Sequence, residues 1–399
     1  MPNSLRLLSL LLFLFALPSE AQPMSQVAAA GITVSRIGVL PDRAYSWDQI
    51  HTDPTLAFRP VDSLRPAQAR RYWLKLVLTN PSQYTAAAQL TVLPDLDNTL
   101  SYFDDDAQAW RTRRAGVAVP TDSQRVKGLL PLRLPGHATT PFYILVSLDP
   151  RAALPAAVRL QVSLETAAAA QKASFFYSTA WAVSLAILGL LLLTNLLAYV
   201  RFRDRITLYY ISTQVGGMLY VTAYRGFFKV LWPTPIFSLL LPPTGLSHAY
   251  TFNNVLMHLS VGLLLGGFVQ MTRAYLTTRV RLPRFDAGLR YALRAYLRLT
   301  VLIALVNVSG FYLESYTLRY DNLLVLGVLL LLLATAVEAY RQRLPLAPIY
   351  LLANALPMGF ILLVAVYHVV VSFDNNGNLL LPDLAIISYA LGFSAALSM

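Results

Sequence analysis

The stretch Ser174–Pro233 constrains this chain more than any other. It reads SFFYSTAWAVSLAILGLLLLTNLLAYV, then RFRDR, then ITLYYISTQVGGMLYVTAYRGFFKVLWP. Two apolar runs are joined by a five-residue hinge that holds three arginines and one aspartate. A helix rises about 1.5 Å per residue and a bilayer's hydrocarbon core is about 30 Å thick, so a span takes about 20 apolar residues. Each run is long enough. Short arginine-rich loops stay on the cytoplasmic side. Arg201, Arg203 and Arg205 therefore predict a hairpin whose turn lies inside the cell and whose outer ends lie outside. The chain before the hairpin must be exported, and the chain after it inherits its orientation.

Composition agrees. The chain is 56% hydrophobic and 13% charged, against about 25% charge in ordinary soluble domains. The net charge of +12 is uneven, because residues 172–399 hold 16 basic and 7 acidic side chains. A nucleic-acid partner would require a basic patch on a water-facing domain. Here the excess sits in membrane-flanking loops, which argues against such a partner. With 0 cysteines, disulfides and zinc–thiolate chemistry are excluded.

Residues 1–21 carry Arg6, the apolar run LLSLLLFLFAL, Pro18, and small residues at Ser19 and Ala21. This pattern predicts a cleaved export signal; an uncleaved anchoring helix is the alternative. Residues 30–165 change texture to short alternating runs separated by turn residues. Tyr72–Thr79 is the clearest strand, with Leu74, Leu76 and Leu78 on one face. Further strands are expected at Ala88–Val92, Thr99–Phe103, Leu130–Leu134, Phe142–Leu148 and Val158–Leu164. Short strands at this spacing suggest an antiparallel, jelly-roll-like β-sandwich.

Residues 166–174 read as a linker, and 175–399 as an all-α bundle of seven transmembrane helices. The spans are expected near Phe176–Val200, Ile206–Gly226, Tyr250–Thr272, Ala295–Glu314, Tyr320–Tyr340, Ile349–Ser372 and Asp383–Met399. If the first enters from outside, the inner loops hold eleven arginines and the outer loops and span ends three basic residues, Arg225, Lys229 and Arg319. The last segment is short and has no basic flank, so a truncated helix is expected there.

The sandwich strand YWLKLVLTNPS, followed by the hairpin, resembles a bacterial receptor family. Its members are seven-transmembrane receptors with diverse intracellular signalling modules and an "extracellular 2" sandwich. The matching motifs are Asn195 near the end of the first span, Arg203-Asp204-Arg205, Leu208-Tyr209-Tyr210 and Leu231-Trp232-Pro233. The resemblance implies a receptor in the bacterial inner membrane, with its sandwich periplasmic and its C-terminus cytoplasmic. Family members continue into a histidine kinase, a diguanylate cyclase or another output module. No such module is legible in these 399 residues, so the resemblance implies the sensor half of a receptor, either a fragment or a protein that signals through a separate partner. Pairing with a second copy remains open.

The sandwich's likeness to carbohydrate-binding modules implies a small-molecule or sugar ligand. Sugars stack on aromatic faces and bond to carboxylates. Trp73, Tyr102 and Trp110, with the run Asp104, Asp105 and Asp106, are the candidate set. The alternative is that the aromatics pack the strands and the acidic run is a solvated hairpin tip. Polar residues within spans are costly and call for a functional hypothesis. They are Asn195, Asn254, His258, Asn307, Glu314, Asn354 and His368. Hydrogen bonding between helices is the plainer account.

The five histidines lack metal-ligand spacing, so neither a metal nor another cofactor is expected. A retinal protein needs a lysine in its last span, and the lysines are Lys75, Lys127, Lys172 and Lys229. No P-loop, G-x-S-x-G or paired-carboxylate motif supports an enzyme. The competing class is a transport or envelope-binding protein whose membrane part is a scaffold.

Overall fold

The computed structural model describes residues 31–104, 107–149, 152–232, 235–370 and 380–398. The export signal expected at 1–21, and Asp105 and Asp106, lie outside the described residues.

The first part is all sheet. A five-stranded antiparallel sheet has the order β1-β3-β8-β5-β6, built from β1 (Thr33–Pro41), β3 (Arg71–Asn80), β8 (Ala138–Ser147), β5 (Asp97–Asp104) and β6 (Ala109–Ala115). A three-stranded sheet, β10-β4-β7, uses β10 (Gln161–Thr166), β4 (Ala86–Leu93) and β7 (Leu129–Leu134). The period of two along β3 sends Tyr72, Leu74, Leu76 and Leu78 inward. On β8 the register sets Ile144 opposite Leu74 and Phe142 opposite Leu76. These side chains meet Leu90, Val92, Leu130, Leu132 and Leu164 of the smaller sheet in one core, which makes the two sheets a sandwich.

Before the bundle, the structure departs from the sequence reading in three places. Val158–Leu164 is not one strand. β9 (Val158–Arg159) pairs with β2 (Ser63–Leu64), and the chain then switches to β4 as β10. Leu160 N–H still donates to Asp62 O beside β2, at 2.9 Å, and pairing with β4 begins at Gln161. β1 and β6 carry no predicted strand. A bulge between Val34 and Arg36 breaks the alternation of β1, and β6 (AWRTRRA) is an exposed, charged edge with little apolar signal. Finally, residues 167–174 are no linker. Thr166 ends β10 and caps a helix, its hydroxyl accepting from Ala169 N at 3.2 Å. The run AAAAQKAS that follows is made largely of good helix formers.

That helix, α2 (Ala167–Phe202), follows the short α1 (Trp47–Thr52) and opens a bundle of seven long helices among the described residues. The others are α3 (Arg205–Tyr224), α5 (Phe252–Tyr275), α7 (Pro283–Val308), α8 (Glu314–Arg341), α9 (Ala347–Val370) and α10 (Leu381–Ser398). Two short helices, α4 (Phe227–Leu231) and α6 (Thr278–Arg281), fill turns. Four helices (α2, α5, α7 and α8) are long and apolar enough to cross a membrane by length and composition. The two halves of α9, bent by 52° at Pro357, make a fifth candidate. α3 is more polar because neighbouring helices cover it, burying Thr207, Thr213 and Gln214. Leu190, Leu197, Leu305 and Leu352 are largely exposed on the outside of the bundle, an apolar girdle that suits lipid rather than water.

Glycine sets the closest helix pair. A Cβ on Gly216 of α3 would lie 2.9 Å from Leu264 N, and one on Gly267 of α5 would lie 2.8 Å from Tyr209 O. The two backbones therefore touch, as small residues allow in membrane bundles. At the end far from the sandwich, Arg203 closes α2 in a left-handed conformation (φ 53°), and Asp204 caps α3 by accepting from Thr207 N at 3.1 Å. Arg201, Arg203 and Arg205 are all exposed there. At the same end, buried Asp286 of α7 accepts from Arg273 Nε of α5 at 2.7 Å and from Thr278 Oγ1 of α6 at 2.9 Å.

Candidate functional site

Between α4 and α5 the chain makes a hairpin, β11 (Ile236–Leu240) and β12 (His248–Thr251). Its apolar residues belong to the sandwich, since Leu239 and Leu241 join that core. Its backbone is tied in as well, Pro243 O accepting from Arg159 N at 2.8 Å. Asp95 accepts from Ser247 N at 3.2 Å and also from the Ser247 hydroxyl. Burial raises the Asp95 carboxyl above its ordinary 3.8, while the Ser247 bonds oppose the shift. The segment that connects α3 to α5 is thereby built into the sandwich.

The outer face of the three-stranded sheet is turned toward the helices. Gln89, Thr91, Gln161 and Ser163 roof a cavity of 1690 Å3 that runs down into the bundle. The loop before β7 supplies Arg125 and Lys127 to the same wall. Burial lowers Lys127, with Asp122 acting against the shift, and burial followed by repulsion from Arg225 lowers Arg125.

Arg225, just past the end of α3, pairs with Asp383 in the first turn of α10, and both are buried. Asp383 also accepts from Ser184 Oγ of α2 at 3.1 Å. The Arg225 guanidinium lies 5.0 Å from the ring centroid of Tyr177 on α2, and Arg125 lies 5.7 Å from the same centroid. One tyrosine thus contacts an arginine from the sandwich and an arginine from the bundle.

Deeper in the cavity, carboxyl, amide, hydroxyl and imidazole groups gather. Asn254 of α5 donates to Glu314 Oε2 at 3.2 Å, and Thr300 of α7 donates to Asp321 Oδ1 at 3.3 Å. Asn253 donates to Ala223 O at 3.0 Å, which leaves its own Oδ1 buried without a partner. His258 stacks on Tyr250 with centroids 5.9 Å apart, and its Nε2 is buried without a hydrogen bond.

Of the intramembrane polar residues read from the sequence, Asn254, His258 and Glu314 meet on this cavity. The other asparagines turn back on their own helices. Asn195 donates to Leu191 O, Asn307 to Ile303 O and Asn354 to Tyr350 O. Asn307 also accepts from Leu313 N and Glu314 N, which caps α8. His368 falls on α9, and its side chain lies outside what is described. Sequence reasoning missed Asp321, Arg225 and Asp383 as site residues. The cost of a charge inside a span was the signal available for Asp321.

The sandwich candidates do not form one surface. Trp73 and Trp110 share an aromatic cluster on the outer face of the five-stranded sheet, with Trp47 and Tyr143. Trp73 is buried there and donates to Asp42 Oδ1 at 3.2 Å, while Trp47 meets Trp110 at 4.9 Å. Tyr102 packs instead against the main core, on the other face. Asp104 pairs with Arg111 at 2.8 Å. Among the described residues, no group of three or more acidic or histidine side chains is placed to hold a metal ion.

Comparison with curated proteins gives no match, and neither does comparison with solved structures. The profile of the family described as 7TM diverse intracellular signalling matches residues 177–399, from Tyr177 through the last helix. That match covers more than half of the chain and takes in the apolar helical bundle, so the chain belongs to the 7TM diverse intracellular signalling family, as a membrane protein.

Proposed function

We propose that this chain is a transmembrane signalling receptor of the bacterial inner membrane, with its sandwich periplasmic and its arginine-rich end cytoplasmic. It binds an extracytoplasmic small molecule and passes the event through the seven helices to a signalling module or partner inside the cell. The observation that carries this reading is the hairpin β11–β12. Leu239 and Leu241 are core residues of the sandwich, and the ends of the hairpin lead directly into α3–α4 and α5. A change in the sandwich must therefore move a covalent link between two helices. A ligand shifts such an equilibrium only by its differential affinity for two arrangements. The cavity, lined by both parts, is where that difference can arise.

Two measurements test the reading. The sequence has no cysteine, so Tyr84→Cys and Arg203→Cys each give one labelling site. A membrane-impermeant maleimide should label position 84, and not position 203, in cells with a permeabilised outer membrane. For signalling, hydrogen exchange of the full chain in nanodiscs is compared with that of a Leu239→Asp/Leu241→Asp variant. A receptor should show altered protection at residues 273–290, at the opposite end of the bundle. A scaffold whose membrane part serves only as an anchor should show the change confined to the hairpin and the sandwich.

A further inference from the structure

We infer that the inner part of the cavity is a binding site for a small, two-ended organic cation of the aliphatic diamine class, held between Glu314 and Asp321 of α8. This deepens the receptor reading by naming a ligand class.

Glu314 and Asp321 are seven residues apart, on one face of one helix, and both line the cavity. Two turns of helix separate them by about 10.5 Å along the axis. Each accepts one hydrogen bond from a neutral neighbour, Asn254 and Thr300 respectively, and a carboxylate has room for several. Lys229 acts on Glu314 through the electrostatic field. The two acids do not act alone. Asn253 Oδ1 and His258 Nε2 belong to side chains more than nine-tenths buried, line the same cavity and lack partners. The Asn253 bond to Ala223 O fixes its oxygen as an acceptor.

The inner site therefore offers two carboxyl groups and the unpartnered Asn253 oxygen as acceptors, beside the Tyr296 hydroxyl and Lys229. A buried polar atom without a partner costs free energy, so a guest that supplies N–H groups is favoured. A carboxyl group at each end favours a cation that it can pair with, and the aromatic walls Tyr296, Phe268 and Tyr389 suit one. Ammonium groups bonded at about 2.8 Å to carboxylates roughly 10 Å apart leave about 4–5 Å between them, which a three-carbon chain spans when extended and a four-carbon chain when bent.

The test uses the full chain in nanodiscs and reads thermal unfolding with 1,4-diaminobutane, butylamine and 1,4-butanediol at matched ionic strength. The diamine should raise Tm by about 2–6 °C, the monoamine by less, and the diol not at all. Equilibrium binding of labelled diamine should be at least tenfold weaker in both Asp321→Asn and Glu314→Gln, which preserve shape. Equal shifts from diamine and diol would overturn the inference, as would diamine binding that survives in both variants. Sodium chloride reproducing the full effect would overturn it too. Because binding is read without any output, failure here leaves the hairpin coupling standing, and failure of that coupling leaves this site standing.

Discussion

Arg225 and Asp383 stand 158 positions apart in sequence and are joined by a hydrogen-bonded ion pair from which the arginine side chain is wholly excluded from solvent. The pair ties the end of α3 to the start of α10, and Ser184 Oγ brings in α2. Its position suits both charges. The Asp383 carboxylate sits in the first turn of α10, where the helix dipole favours an anion, and Tyr177 lies against the guanidinium. Removing one partner strands the other in a low dielectric, so Arg225→Leu or Asp383→Asn alone should cost about 3–5 kcal/mol. The double variant Arg225→Leu/Asp383→Leu should regain most of that loss. A double-mutant cycle on unfolding in detergent measures it, and single variants within about 0.5 kcal/mol of the parent would contradict the assignment.

Asp95 makes the junction sensitive to pH. Its folded-state pKa is raised by burial, so the protonated form is the better guest of the folded protein. The sign follows: the stability linked to this group is fully present below its unfolded value of 3.8 and declines as pH rises through the raised folded value. Asp95→Asn keeps the shape and an acceptor for Ser247 but removes the titration. The variant should lose the decline in sandwich stability that the parent shows on going from pH 4 upward. Unfolding followed by tryptophan fluorescence across pH 4–8 gives the comparison, and parallel curves for the two proteins would rule the mechanism out.

The contact of α3 with α5 depends on the missing side chains of Gly216 and Gly267. Gly216→Leu or Gly267→Val must separate the backbones, and overpacking of this kind costs about 1–3 kcal/mol or more. Gly266, next in sequence, has nothing within 4 Å of the position a Cβ would take. Gly266→Ala should therefore be neutral or slightly stabilising through its helix propensity. The three variants, compared by thermal stability, separate a packing requirement from a general intolerance of α5 to substitution.

How much of this is legible in the sequence depends on the range of the interaction. The sandwich and the helices announce themselves locally, because Leu74, Leu76 and Leu78 alternate and the spans are long apolar runs. The RFRDR turn is legible for the same reason: Asp204 is a helix cap and a charge at once. Asn254, His258 and Glu314 can be picked out because polarity inside a span is costly. Their convergence cannot, since it depends on how α5 meets α8. Asp321 falls within the span expected at Tyr320–Tyr340, but only one residue from its end and next to Arg319, so the same signal is weak there. Arg225 and Asp383 each look like ordinary helix ends, and a periodicity carries no information about a partner 158 residues away. The hairpin β11–β12 escapes notice because a short strand pair inside a loop between spans has too few residues to show a pattern.

At the far end of the bundle Asp286 is the point of attachment. It is 1% exposed and meets Arg273 of α5, Thr278 of α6 and, at 3.1 Å, Arg290 one turn further along α7. The partners are unequal. Arg273 is mostly shielded, whereas Arg290 is 45% exposed and its pair with Asp286 is screened by solvent. Asp286→Ala should therefore cost about 3–5 kcal/mol, by leaving Arg273 buried without its counter-charge. Arg290→Ala should cost under about 1 kcal/mol. Hydrogen exchange localises the effect: in Asp286→Ala, protection should fall across residues 273–286 while the sandwich core around Leu76 stays as it was. Equal losses in the two variants would mean that the buried pair joining α5 to α7 contributes no more than the exposed pair within α7, and would contradict the assignment.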